Sequence, residues 1–150
     1  PRFRDGQNKT FILRVHSTPQ ETEKVEVNGD LKAFLPSNKT YLSYNPKTWE
    51  DSESLKVAMP DLSIKLAGTA ALIQNGTLFN PKIVCSQNND EICDVIGTFN
   101  CSSDQKIIQF EKSESLYIYG SESCIYLYAP EDKFKLVKDR LLFSWFGIME

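Results

Sequence analysis

Leu116-Tyr117-Ile118-Tyr119-Gly120-Ser121-Glu122-Ser123-Cys124-Ile125-Tyr126-Leu127-Tyr128 is the stretch from which the rest of the chain is read. Successive side chains of a strand point to opposite faces, so Leu116 and Ile118 share one face while Tyr117 and Tyr119 share the other. The same alternation sets Ile125 and Leu127 against Tyr126 and Tyr128. Gly120 to Ser123 has the length and glycine content of a short hairpin loop, and β-branched and aromatic residues suit a half-buried pleated surface. The stretch therefore predicts a β-hairpin with one aliphatic face and one tyrosine face.

Outward from this hairpin, other strands are expected at Thr10–Val15, Lys24–Val27, Leu31–Leu35, Thr40–Tyr44, Lys82–Cys85, Ile92–Ile96 and Lys106–Phe110. Asn28-Gly29 and Asn75-Gly76 each read as a tight hairpin turn, because both central positions of such a turn need positive φ. Ser54–Met59 and Leu62–Leu66 both alternate apolar and polar residues around Pro60-Asp61, which reads as two more hairpin strands. Lys47–Ser54 reads as a polar loop carrying Trp49, either an anchor tucked over the edge of the core or an exposed contact residue. After Pro130, Phe134, Val137, Leu141, Leu142 and Trp145 fall at helical spacing, whereas Arg140–Gly147 is rich in strand formers. A short helical turn followed by a final strand over 141–147 is the expectation. Short strands at intervals of 8–12 residues with turns between them describe an all-β, antiparallel sandwich or barrel of roughly ten strands.

At 150 residues, with 41% hydrophobic and 25% charged residues, the chain has the size and balance of one globular domain. Residues 1–9, polar and basic, are expected to form a flexible arm, and the Pro1-Arg2-Phe3-Arg4 start reads as a processed end. A net charge of −3, with Lys and Arg dispersed among acids, offers no basic stripe for nucleic acid. No apolar run approaches the length of a membrane span.

Four Asn-x-Ser/Thr acceptors, at Asn8, Asn38, Asn75 and Asn100, exceed the roughly one that nine asparagines would supply by chance. They argue for the secretory pathway and a glycosylated surface. Cys85, Cys93, Cys101 and Cys124 agree with that setting, since an even number of cysteines in an extracellular chain reads as disulfides. Of the three possible connectivities, Cys85 with Cys93 would close the intervening polar loop, and Cys101 with Cys124 would tie the tyrosine hairpin to its neighbour. The cysteine spacings match no zinc template, so neither a metal nor another cofactor is expected.

His16 is the sole histidine, and no nucleophile elbow, phosphate-binding glycine loop or calcium loop is present in the sequence. The expected function is non-catalytic: an extracellular domain, secreted or attached to a wall or cell surface, that recognises a protein or glycan partner. Tyr117, Tyr119, Tyr126, Tyr128 and Trp49 are the candidate contact residues, because aromatic side chains present large contact area at low entropic cost. The alternative is a small-molecule carrier whose tyrosines line the cavity of a closed barrel.

Overall fold

The computed structural model of the protein describes residues 2–4, 10–12, 17–29, 31, 40–73, 82–99, 101, 106–121 and 123–145. The fold is mixed α/β, not an all-β antiparallel sandwich or barrel. Its six-stranded sheet contains β3 (Glu26–Gly29), β4 (Thr40–Tyr44), β5 (Lys82–Cys85), β6 (Lys106–Lys112), β7 (Tyr117–Gly120) and β8 (Cys124–Ala129). The spatial order is β3-β7-β8-β6-β4-β5, and every neighbouring pair is parallel except the β7–β8 hairpin. With β3 and β5 at its two edges, the sheet is open among the described residues and not the closed barrel expected as one form of the fold. A separate antiparallel pair joins β1 (Arg2–Arg4) to β2 (Thr10–Ile12), so Arg2–Arg4 is strand within the expected arm.

Parallel neighbours need a crossover, and helices supply most of them. Between β4 and β5 the chain forms α2 (Pro46–Asp51) and α3 (Glu53–Ile73). The local causes are visible in the sequence. Asn45 caps α2 by accepting from the Lys47 amide at 3.0 Å, with Pro46 preorganising the first turn. Ser52 does the same for α3, its Oγ accepting from the Leu55 amide at 3.0 Å and donating to the carbonyl of Glu131. Asn45-Pro46 thus begins a helix as well as ending a strand.

Two expected hairpin strands, Ser54–Met59 and Leu62–Leu66, lie inside α3. Leu55, Ala58, Met59 and Leu62 are fully buried, and their spacing of three, one and three residues is helical. The apolar residues that produced the apparent alternation, Val57 and Ile64, are 42% and 69% exposed. Pro60 sits within this helix without ending it, although it withholds one backbone donor.

Ile92–Ile96, expected as a strand, is the short helix α4, following Asp90, whose carboxylate accepts from the Ile92 amide at 3.1 Å. The expected strand over 141–147 is likewise overturned: α5 runs from Phe134 to Trp145. Its buried Phe134, Val137, Leu141 and Leu142 continue the helical spacing through the strand-forming residues, because packing against the sheet outweighs intrinsic preference. Trp145 anchors its end by donating to the Leu31 carbonyl at 2.9 Å. A further helix, α1 (Pro19–Thr22), is fixed by a capping box between Thr18 and Glu21.

Asn28-Gly29 does not turn the chain. Both residues belong to β3, where Asn28 pairs with Tyr119 and Gly29 with Gly120. Gly29 has φ +82°, and a methyl group there would overlap the carbonyl oxygen of Gly120. The backbone geometry seen as a turn signal is thus used for close strand approach. Gly29→Ala is expected to destabilise the domain by on the order of 1–3 kcal/mol, read as a lowered denaturant midpoint with an unchanged m-value. The expected Asn75-Gly76 hairpin and the Leu31–Leu35 strand beyond Leu31 lie outside the described residues.

One face of the sheet carries Leu42, Ile108, Phe110, Ile118, Ile125, Leu127 and Ala129 into a core with α3 and α5. Phe110 meets Phe134 edge to face at a centroid distance of 6.0 Å. Among the described residues, the helices leave the opposite face to the tyrosines and to the segment that carries Phe99 and Cys101.

Candidate functional site

The hairpin register sets Tyr117 beside Tyr128 and Tyr119 beside Tyr126, with Ile118 opposite Leu127 on the helical side. All four tyrosines thus meet on the sheet face away from the helices. The Tyr126 and Tyr128 rings stack at 5.4 Å with a 14° interplanar angle, and Tyr117 leans on Tyr128 at 5.7 Å and 45°. Such ring contacts add about 0.5–1.5 kcal/mol beyond area burial, so the patch is ordered by its own members. Tyr119 is 45% exposed, while the other three are half-buried.

Register across the neighbouring strands extends this patch into two rungs. Glu26 on β3 pairs with Tyr117, and Glu111 on β6 pairs with Tyr128, so a carboxylate stands at each end of the first tyrosine pair. Asn28 and Gln109 stand correspondingly at the ends of the Tyr119–Tyr126 pair. The Asn28 amide donates to the Tyr117 hydroxyl at 3.0 Å, and the Gln109 amide donates to Glu111. Burial, then Tyr126, the Glu111 carboxylate and Tyr117, push the ionisation of the Tyr128 hydroxyl above its usual 10.0, so it remains a protonated donor at neutral pH.

A strap limits how much of the face is open. From β5, where the Cys85 amide donates to the Gly97 carbonyl at 3.0 Å and Phe99 returns a bond to Cys85 at 2.9 Å, the chain passes over β4. Phe99 stacks on Tyr41 at 4.7 Å. Cys101 then bonds to Cys124 on β8, with the Cα atoms 5.7 Å apart, and its amide donates to Gln109 Oε1 at 3.0 Å. The second bridge joins Cys85 to Cys93 at a Cα separation of 5.6 Å, holding α4 against β5. Both pairings are those expected from the sequence. Cys124 therefore marks the border between the strapped half of the face and the open tyrosine half.

Trp49 is not part of this surface. Its ring lies 5.1 Å from that of Tyr44 and packs against the core on the helical side, which is the anchor alternative. Asn8, Asn38, Asn75, Asn100 and His16 lie outside the described residues. Among the described residues, no group of three potential metal ligands converges, and no helix is long and apolar enough to cross a membrane.

Glu26, Asn28, Gln109 and Glu111 were missed as site residues because parallel pairing places them. Alternation along Ile107-Ile-Gln-Phe-Glu111 does separate Gln109 and Glu111 from Ile108 and Phe110, but no local signal identifies the neighbouring strand. No protein-family model, curated protein or solved structure matches this chain.

Proposed function

We propose that the protein is a non-catalytic recognition domain of the extracellular space, and that it contacts its partner through the open tyrosine half of the sheet. The observation that carries this reading is the division of the sheet: helices bury one face, a disulfide-anchored strap crosses half of the other, and Tyr119 stands exposed beside three ordered rings. Preordered tyrosines suit recognition because little side-chain freedom is lost on contact. Two disulfides support an oxidising compartment, and the sequons support passage through the secretory pathway.

The test separates contact from architecture. Tyr119→Ser removes an exposed ring, so it should change stability by less than about 0.5 kcal/mol in a thermal melt. The same variant, immobilised after secretion from eukaryotic cells, should lose the extracellular partner that the wild-type domain captures. Equal capture by both proteins, or a melt shifted as far as for a core truncation, would count against this surface.

A further inference from the structure

The two carboxylates at the ends of the tyrosine rung narrow the partner's chemistry, an inference that rests on the recognition reading above. We propose that the open tyrosine half docks a basic protein segment, one that presents Arg or Lys side chains across the rung Glu26-Tyr117-Tyr128-Glu111 and over the exposed Tyr119 of the adjoining rung.

The open tyrosine half offers negative charge beside an aromatic floor. Register places Glu26 and Glu111 on the same face as the tyrosines, one on each flanking strand. Among the described residues, no Lys or Arg occupies this face on β3, β7, β8 or β6: the cations of β6, Lys106 and Lys112, have the parity of Ile108 and Phe110. Lys112 is also engaged with Glu131 at 3.0 Å. The cation with tyrosine-face parity is Lys82, on the far edge strand beside Tyr41 and beyond the strap. Among the described strand residues, the negative end and the aromatic end of the face therefore coincide, while the positive charge, Lys82, lies three strands from β8.

A guanidinium or ammonium group placed here meets three complementary features. Ring quadrupoles attract a cation, by about 0.5–1 kcal/mol at an exposed site. The Glu26 and Glu111 carboxylates accept charge-assisted hydrogen bonds. Tyrosine hydroxyls accept further N–H bonds, and the groups that hold Tyr128 protonated include the Glu111 carboxylate. A neutral glycan would use the hydroxyls and the Asn28 amide but would leave both carboxylates without a counter-charge. The stacking of Tyr126 on Tyr128 also commits part of each ring face internally, which reduces the area offered to a sugar ring.

The experiment uses the full oxidised chain and three probes: a fluorescent Arg-Gly-Ser repeat peptide, its Glu-Gly-Ser counterpart, and triacetylchitotriose as a neutral oligosaccharide. The Arg peptide should bind and the Glu peptide should not. Glu26→Gln/Glu111→Gln should weaken Arg-peptide binding by about tenfold, the equivalent of about 1.4 kcal/mol. Tyr119→Ala should weaken it by about two- to fivefold through the lost cation–π contact. Glu50→Gln/Glu91→Gln, which removes the same net charge from exposed positions outside the rungs, should leave it within about twofold, as expected when distant exposed charges are screened.

Equal weakening by the two double variants would reduce the interaction to net charge and overturn the proposal. Binding of triacetylchitotriose without the peptide, abolished by Tyr119→Ala, would also overturn it while leaving recognition by this face intact. If neither probe binds but Tyr119→Ser still abolishes partner capture, the basic-segment inference falls alone. If capture is equally indifferent to Tyr119, the recognition reading falls with it.

Discussion

Asp61→Asn should lower the unfolding free energy by about 3–5 kcal/mol, a large share of the roughly 5–15 kcal/mol that holds a domain of this size. Asp61 on α3 lies 2.6 Å from Lys138 Nζ on α5 and 2.8 Å from Lys65. Lys138 is fully buried, and its ammonium also meets Asp139 at 2.5 Å. Replacing the carboxylate by a neutral amide of similar shape leaves the cavity unchanged but removes one of the carboxylates that face a fully buried ammonium. Asp139 retains part of that role, which places the expected loss toward the lower end of the range. Lys65→Met is the contrasting change. It removes a partly exposed i,i+4 partner while the Lys138 contact remains, so a loss below about 1 kcal/mol is expected.

The same carboxylate gives stability a pH dependence with a definite sign. Burial acts to raise the Asp61 pKa, but hydrogen bonds and charge from Lys138 and Lys65 outweigh it and hold the folded value below the ordinary 3.8. A depressed folded pKa means that the unfolded chain binds the proton first as pH falls. The stabilisation is therefore complete above the unfolded value and is lost as pH falls through the folded one. Denaturant midpoints measured between neutral pH and strong acid should decline more steeply below about pH 4 for the wild type than for Asp61→Asn, since the variant has already lost the titrating group.

This ion cluster also shows why the sequence read as all-β. In the sequence, Asp61 and Lys138 are separate polar positions in two alternating or ambiguous segments. Only a helical path places Asp61 one turn from Lys65 and puts Lys138 among the buried residues of α5. Strands β4 to β8 are legible because each is a short run of strand-favouring residues, and the tyrosine hairpin and both cysteine pairings are legible from local alternation and spacing. Parallel pairing is not, because it depends on crossover helices that begin at or run through residues also suited to a strand end or hairpin, Asn45-Pro46 and Pro60-Asp61, while Asn28-Gly29, suited to a reversal, continues β3. In each case, residues suited to a turn were used to cap a helix, continue one, or admit a neighbouring strand's backbone. The tyrosines could be found from alternation alone, whereas their polar neighbours Glu26 and Glu111 needed the strand order.

Removing the Cys101–Cys124 bridge should cost about 3.4 kcal/mol, and removing Cys85–Cys93 about 2.5, from the loop-closure entropy of separations of 23 and 8 residues. The two losses should also differ in character. Cys85 and Cys93 are both buried, and α4 sits against the sheet edge, so breaking that bridge loosens a peripheral helix. Cys101 and Cys124 instead pin the strap across the tyrosine face. Without the bridge, the described contacts holding the strap beyond its β5 anchorage are the Phe99–Tyr41 stack and the hydrogen bond from the Cys101 amide to Gln109. Together these supply on the order of 1–3 kcal/mol, less than global stability, so the strap should open before the domain unfolds. Cys101→Ser/Cys124→Ser should accordingly show fast amide exchange at residue 101 while Phe99, bonded to Cys85 of β5, and β6 and β8 remain protected, whereas Cys85→Ser/Cys93→Ser should keep residue 101 protected. Equal protection at residue 101 in both variants would mean that the strap is held by its packing, and that the border of the open tyrosine half does not depend on the disulfide.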